Sequence, residues 1–95
     1  MRVSQIVLLP QYEEKLLRKH GVSAFEVEEV LFSRPHFRLL ERGNRPDEDL
    51  YSAYGQTVAG RYLIIFFVLK LDRSALVVSG RDMDDSERKY YGKRR

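Results

Sequence analysis

The sequence contains no cysteine and no tryptophan. Without cysteine the chain has no disulfide, no thiol nucleophile and no thiolate ligand for a metal ion. Its longest apolar run, residues 62–69, is far shorter than the roughly 20 residues that a membrane-spanning helix needs. The segment of residues 3–9 is too short for the core of a signal peptide followed by a cleavage site. The sequence therefore predicts a cytoplasmic protein with no membrane partner.

Motifs for nucleotide or metal chemistry are also absent. The sequence has no phosphate-binding loop, no nucleophile elbow and no zinc motif. The acidic run Asp47-Glu48-Asp49 has no spaced histidine near it and does not fit a calcium-binding loop, so a solvated loop is the simpler interpretation. We therefore expect no metal ion and no cofactor.

What the chain does contain is enough apolar sequence for one small domain. It has 95 residues, of which 43% are hydrophobic and 33% charged, and its formal net charge is +3. This length supports a single core, so we expect one domain over residues 1–95, with residues 92–95 as a mobile basic tail. A modest positive charge favours attraction to phosphates, but it is also common in proteins that bind no nucleic acid.

Two helices are predicted in the first third of the chain. Pro10 suits the first helical position and Gly21 supplies a stop, which predicts a helix over residues 10–20. Ser23 and Glu26 have the spacing of a capping box, so a second helix is expected to begin at once. It should end before Pro35, because the residue before a proline is disfavoured in a helix.

From residue 37 the pattern changes to that of strands. We expect strands over residues 37–42, 50–57 and 62–71, and a fourth around residues 76–78 after a turn at residues 72–74. Asp84 can cap a short last helix that ends near Tyr91. The predicted fold is α+β, with two N-terminal helices packed on a four-stranded antiparallel sheet and a short C-terminal helix.

Two arginines flank the most apolar strands. If the turn centres on Arg73, Arg81 lies opposite Ile65, and Arg61 lies about 13 Å away on the same side of the sheet. Two guanidinium groups placed this way could bind one phosphate or two adjacent phosphates. In the alternative interpretation both are solvated residues that pair with neighbouring carboxylates, namely Asp82, Asp84 or Glu87.

Tyrosines and histidines give weaker signals. Tyr51, Tyr54, Tyr90 and Tyr91 could stack on bases beside a basic strip, although tyrosines in strands usually serve packing. His20 suits the C-terminal end of a helix, where it interacts with the helix dipole, and a role as general base is the alternative. His36 follows a proline and has no recognisable partner in the sequence, so it receives no role.

A series of segments between about residues 15 and 91 resembles the BrnT-type toxins in order and spacing. The segments are KHGVS (19–23), EVEEVLF (26–32), YGQT (54–57) with GR (60–61), SGRDM (79–83), ER (87–88) and YY (90–91). Two features depart from the family: Gly80 stands where alanine is common, and the tryptophan-aspartate pair before the first helix is missing.

The resemblance implies a RelE-like fold and a function. Members of the family are the toxins of bacterial type II toxin–antitoxin pairs, and they are ribonucleases that block translation. It implies that Arg61 and Arg81 belong to the RNA-cleaving surface. The implied partner is a ribbon-helix-helix antitoxin that covers this surface and binds promoter DNA, so that DNA is contacted only through the complex. A homodimer is possible, and the sequence does not determine the oligomeric state.

The function expected from this resemblance is metal-independent cleavage of RNA. A ribose 2′-hydroxyl attacks its own phosphodiester while Arg61 and Arg81 stabilise the developing charge. The candidates for proton transfer are Glu48, Glu87 and His20. The residues expected to bind RNA are Arg45, Tyr54, Arg88 and Tyr91. The alternative is a non-catalytic binding module that pairs with an antitoxin or binds nucleic acid, since no general base is obvious.

Overall fold

The computed structural model describes all 95 residues. Its elements, in chain order, are β1 (Gln5–Val7), α1 (Pro10–His20), α2 (Ala24–Phe32), β2 (His36–Glu41), β3 (Leu50–Gln56), β4 (Tyr62–Leu69), β5 (Ser74–Asp82) and α3 (Asp85–Gly92). The predicted α+β class is confirmed, and so are both N-terminal helices and the short C-terminal helix. None of these helices is both long enough and apolar enough to cross a membrane.

The helix ends lie where the local sequence signals place them. Gly21 ends α1 in the left-handed conformation, with φ 61°. The Ser23 amide donates to Glu26 Oε1 at 3.0 Å, and the Glu26 amide donates to Ser23 Oγ at 3.2 Å, which completes the predicted capping box. Asp84 and Glu87 form the same reciprocal pair at the start of α3. These contacts satisfy backbone amides that the first turn of a helix leaves unpaired.

The sheet has five strands instead of the predicted four, and it is mixed instead of antiparallel. Its order is β1-β5-β4-β3-β2, with β1 parallel to β5 and the other neighbours antiparallel. The Ser4 amide and hydroxyl donate to the carbonyls of Arg73 and Asp72, at 2.8 and 2.9 Å, which fixes the start of β1 beside β5. Because β1 has only three residues and its partner is remote in sequence, no local pattern reveals it.

The predicted register between β4 and β5 is wrong by one residue. Arg81 lies opposite Ile64, whereas the turn geometry predicted Ile65. Side chains alternate between the two faces of a strand, so a shift of one residue moves Arg81 to the other face of the sheet.

A β-bulge in β5 causes this shift. Near the turn Leu69 pairs with Ala75, and a regular ladder from there would place Arg81 opposite Leu63, on the same face as Arg61. Instead the pairing skips Val78, because Phe67 pairs with Val77 and Phe66 with Ser79. Because of this extra residue, every later side chain of β5 points to the opposite face of the sheet from the one that a regular ladder would give.

The two faces of the sheet carry separate apolar clusters. Residues of α1 and α2 pack on one face against the odd-numbered side chains of β4, among them Leu63, Ile65 and Phe67. On the other face Ile64 packs with Tyr54, Met83 and Tyr91 of α3. The short C-terminal helix therefore covers the face opposite to α1 and α2, and part of that face stays open.

Gly55 permits the close packing of α2 on the sheet. A Cβ atom at this position would lie 2.9 Å from Cγ1 of Val30, which is buried in α2. Valine has a stiff side chain, so the helix itself would have to move to admit even a methyl group. Glycine at this position in β3 is thus required by the helix that packs on it.

A candidate nucleic-acid interface

Arg61 is held on the α1–α2 side of the sheet. Its Nη1 donates to the carbonyl of Gly21 and its Nη2 to the carbonyl of His20, both at 2.8 Å. Nε and Nη2 donate to the two carboxylate oxygens of Asp82 at 2.7 and 3.0 Å, and Nη1 also contacts Glu26 at 3.2 Å. This side chain joins the end of α1, the start of α2 and the end of β5.

Arg81 lies on the opposite face of the sheet. Its two terminal nitrogens bind the two carboxylate oxygens of Glu87 at 2.6 and 2.8 Å, and its guanidinium carbon is 5.6 Å from the Phe66 ring centroid. The hypothesis that Arg61 and Arg81 converge on one phosphate is therefore wrong. The alternative interpretation describes the structure, because Asp82 pairs with Arg61 and Glu87 pairs with Arg81.

These ion pairs keep their carboxylates ionised. The hydrogen bond from Arg61 lowers the pKa of Asp82, and the hydrogen bond from Arg81 lowers the pKa of Glu87. Glu87 also accepts from the Asp84 amide in the capping box. A carboxylate with a lowered pKa and occupied oxygens is a weak proton acceptor, so the geometry does not favour Glu87 as a general base.

The other predicted site residues are divided between distant parts of the fold. His20 is exposed at the end of α1, on the Arg61 side, and only its backbone carbonyl contacts Arg61. Arg45 and Glu48 lie in the β2–β3 loop, at the other end of the sheet from α3, and form a loose 3.9 Å pair. The structure therefore does not bring these three residues to the neighbourhood of Arg81 and Glu87.

Tyr54 lies against α3 and Tyr91 belongs to α3, but both are buried, with exposed fractions of 4% and 8%. Rings this deep present little surface on which a base could stack. Their place in the structure is that of packing residues between the sheet and α3. Tyr62 and Tyr90, which are only half-buried, are the tyrosines that this face presents to solvent.

Six residues around α3 form what we call the arginine–tyrosine surface: Arg38, Tyr62, Arg88, Tyr90, Arg94 and Arg95. The guanidinium carbons of Arg94 and Arg38 are 3.6 and 4.8 Å from the Tyr90 ring centroid. That of Arg88 is 4.2 Å from the Tyr62 ring centroid. Of residues 92–95, which were expected to form a mobile tail, Gly92 ends α3, and residues 93–95 follow it and contribute two of the four arginines.

No carboxylate lies within 4.0 Å of any of these four guanidinium groups. Stacking on tyrosine positions their planes without neutralising their charge. An open groove of about 300 Å³ beside α3 is lined by three cations, Arg88, Lys89 and Arg95, together with Tyr62 and Gly92. The positive potential of this face suits a ligand with several negative charges.

His36 stands at the edge of this surface. Its Nε2 is 3.0 Å from the hydroxyl oxygen of Tyr90, and its ring centroid is 5.4 Å from that of Tyr90 and 6.0 Å from that of Tyr54. Partial burial lowers the pKa of His36, and the positive charges of Arg94 and Arg38 lower it further. The imidazole is therefore neutral at neutral pH.

The sequence reasoning missed His36, Arg38, Tyr62, Arg94 and Arg95. The local signal available was that His36 and Arg38 are two residues apart, which places them on one face of a strand. Recognising their partners required knowledge that α3 folds back over this face. No group of three or more histidine, aspartate and glutamate side chains in the structure could hold a metal ion.

No protein-family model matches the sequence, and no curated protein matches it in sequence. Among solved structures, the chain is similar to the crystal structure of the ribonuclease toxin BrnT from Brucella abortus, with a TM-score of 0.60 and 16% sequence identity. The similar region covers 85% of this chain and 97% of that chain. The chain therefore has the BrnT-type fold, as the sequence segments indicated, and at this identity the likeness is one of fold.

Proposed function

We propose that this protein is the toxin of a type II toxin–antitoxin pair and cleaves RNA without a metal ion. The observation that carries the proposal is the coincidence of a BrnT-type fold with a face of unpaired arginines. The solved neighbour is a ribonuclease toxin, and this chain has on one face four guanidinium groups that no carboxylate neutralises.

The proposed substrate is single-stranded RNA bound along the arginine–tyrosine surface. The arginines supply hydrogen bonds and charge for successive phosphates, and the guanidinium planes that lie over Tyr62 and Tyr90 offer flat surfaces on which unstacked bases can stack. Arg81 lies on the same face of the sheet and is proposed to add charge there once its pair with Glu87 opens. Arg61 faces the other side, so we assign it a structural role in place of the expected catalytic one.

The proposed partner is an antitoxin of the ribbon-helix-helix class, which covers the arginine–tyrosine surface and so competes with RNA. Four unpaired arginines favour an acidic segment in the covering partner. Promoter DNA is proposed to be contacted through the antitoxin alone.

Induced expression in a bacterial host should arrest growth, and co-expression of the antitoxin should restore it. The purified protein should cleave single-stranded RNA equally well with EDTA and with magnesium, because no step uses a metal ion. Growth without arrest, together with intact RNA after prolonged incubation with folded protein, would refute the ribonuclease function.

One observation favours a second candidate, a non-catalytic module that binds RNA or an antitoxin. Both arginines that the resemblance implied for the RNA-cleaving surface are engaged by carboxylates. A module of this kind would bind RNA through the same surface and leave it intact. The cleavage assay above therefore separates the two candidates.

Replacing Arg88 with alanine should weaken RNA binding to a similar extent for all sequences, since a phosphate contact carries no sequence information. The slope of log Kd against log salt concentration should become shallower by about one unit or slightly less. Arg18→Ala is the matched control, because Arg18 is exposed on α1 and pairs with Glu14. Equal effects of the two substitutions would show that binding depends on net charge and not on this surface.

A further inference from the structure

The position of His36 relative to the arginine–tyrosine surface suggests a further role. The side chain lies on the face of β2 that α3 leaves partly open, and it is half-buried. The hydrogen bond between Nε2 and the Tyr90 hydroxyl orients the ring. In the tautomer whose Nε2 donates to Tyr90, the lone pair of Nδ1 is available to accept a proton.

The groups that face His36 come from three elements and from the turn after the last of them. Arg38 lies on the same strand, Tyr54 on β3, Tyr90 on α3 and Arg94 in the turn that follows α3. The charged groups among them are both cations, and none is a carboxylate. This environment keeps the imidazole unprotonated near neutral pH and at the same time attracts a phosphate to its vicinity.

Competing proton acceptors on this face are poor. Both oxygens of Glu87 are bound by Arg81, and one of them also accepts from the Asp84 amide. His20, Glu48 and Asp82 lie on the other face or at the other end of the sheet. His36 is thus the neutral base closest to the unpaired arginines.

We propose that His36 is the general base that takes the proton from the ribose 2′-hydroxyl of RNA bound on the arginine–tyrosine surface. This inference rests on the proposed ribonuclease function. Arg38, two residues along the same face of β2, contacts the phosphate under attack.

The reaction forms a bond between the 2′-oxygen and phosphorus and breaks the bond between phosphorus and the 5′-oxygen. The 2′-proton moves to His36, and the leaving 5′-oxygen takes a proton from water. His36 then returns its proton to the hydroxide left behind. The products are a 2′,3′-cyclic phosphate and a 5′-hydroxyl end, and a 2′-deoxy nucleotide at the cleavage site blocks the reaction.

The test compares the wild type with His36→Ala and Tyr90→Phe on an end-labelled single-stranded RNA. General-base catalysis is typically worth about 10²–10⁴ in rate, so kcat of His36→Ala should fall by that factor. The Kd for RNA should change much less. Tyr90→Phe keeps the ring that stacks on the arginines but loses the hydroxyl that orients His36, so it should lower kcat to a smaller extent.

The pH profile supplies a readout that a structural role would not change. The neutral form of His36 is the active one, so the wild-type rate should fall as the pH drops through a pKa below the ordinary 6.5. His36→Ala should lose this acid limb, and added imidazole should restore part of its rate.

Wild-type rates in both variants, or an unchanged acid limb in His36→Ala, would overturn the role of His36 while leaving the ribonuclease function intact. Absence of RNA cleavage by the folded wild type would overturn both. Should the variants fail to fold, NMR titration of His36 in the wild type decides the question. A measured pKa that matches the kinetic one supports the proposal, and a mismatch contradicts it.

Discussion

Replacing Arg61 with alanine is expected to lower the free energy of unfolding by about 2–4 kcal/mol. The side chain is 27% exposed. It donates hydrogen bonds to the carboxylates of Glu26 in α2 and Asp82 in β5, and to two backbone carbonyls at the end of α1. Its loss leaves the carbonyls of His20 and Gly21 without these donors and Asp82 without its counter-ion. The Tm should fall by roughly 10–25 °C for a domain of this size.

Thermal and urea denaturation of Arg61→Ala beside Arg18→Ala provide the measurement. Arg18 forms an exposed pair with Glu14 one turn away on α1, and such pairs contribute about 0.5 kcal/mol or less. Equal losses in the two variants would contradict the structural role of Arg61. A fully stable Arg61→Ala protein that had lost RNA cleavage would instead support the expectation that Arg61 belongs to the RNA-cleaving surface.

Acid should weaken the same contact. Because Arg61 lowers the pKa of Asp82 in the folded state, the ionised carboxylate stabilises the fold above the unfolded pKa of about 4. This contribution is lost as the pH falls through the lowered folded value. Since Arg61→Ala has already lost the interaction, its stability should decline less steeply with acid than that of the wild type.

Replacing Phe67 with alanine should cost about 3–5 kcal/mol, because a large aromatic side chain leaves a cavity in the core. Phe67 is fully buried on β4, the central strand, and its ring packs between those of Phe37 and Tyr51 at centroid distances of 5.8 Å. A small domain has a total stability of about 5–15 kcal/mol, so this single change should leave a substantial fraction of the chain unfolded at 37 °C.

Phe25→Ala is a matched control for this prediction. It removes the same atoms from a side chain that is 67% exposed on α2, so its cost should be small. The midpoint of urea denaturation should fall strongly for Phe67→Ala and little for Phe25→Ala. The dependence of the free energy of unfolding on urea concentration should have a similar slope in both variants. Comparable midpoints for the two variants would show that the ring of Phe67 does not support the core.

Local signals predicted the helices correctly because their causes are local. Gly21 ends α1 through its own backbone conformation, and the Ser23–Glu26 and Asp84–Glu87 pairs each lie within one helical turn. The strands of the antiparallel meander were also predictable, since each contains apolar or aromatic residues and is joined to the next by a polar loop or turn. These features need no information from distant parts of the chain.

The features that were missed depend on distant contacts. The strand β1 is defined by hydrogen bonds to a segment near the end of the chain. The bulge at Val78 moves the Arg81 side chain to the other face of the sheet, and no local sequence pattern around Val78 indicates a bulge. A prediction that depends on strand register is therefore sensitive to a single skipped residue, as the expected convergence of Arg61 and Arg81 illustrates.

The candidate site was only partly predictable for the same reason. Arg88 was expected to bind RNA, and it does lie on the arginine–tyrosine surface, where its contact with RNA stays a prediction. Its neighbours Arg38 and Tyr62 come from two different strands, and Arg94 comes from the segment expected to be mobile. Only the folding of α3 over the open face of the sheet brings them together.

The pairing of β1 with β5 also bears on how the protein is made. The Ser4 hydroxyl donates a hydrogen bond to the backbone carbonyl of Asp72, a residue 68 positions further along the chain. At about 5–20 residues per second, a ribosome needs several seconds to produce that partner, and β1 stays unpaired meanwhile. The edge of the sheet is therefore completed late in translation, and residues 88–95, which contain three of the four arginines of the proposed RNA-binding face, emerge later still.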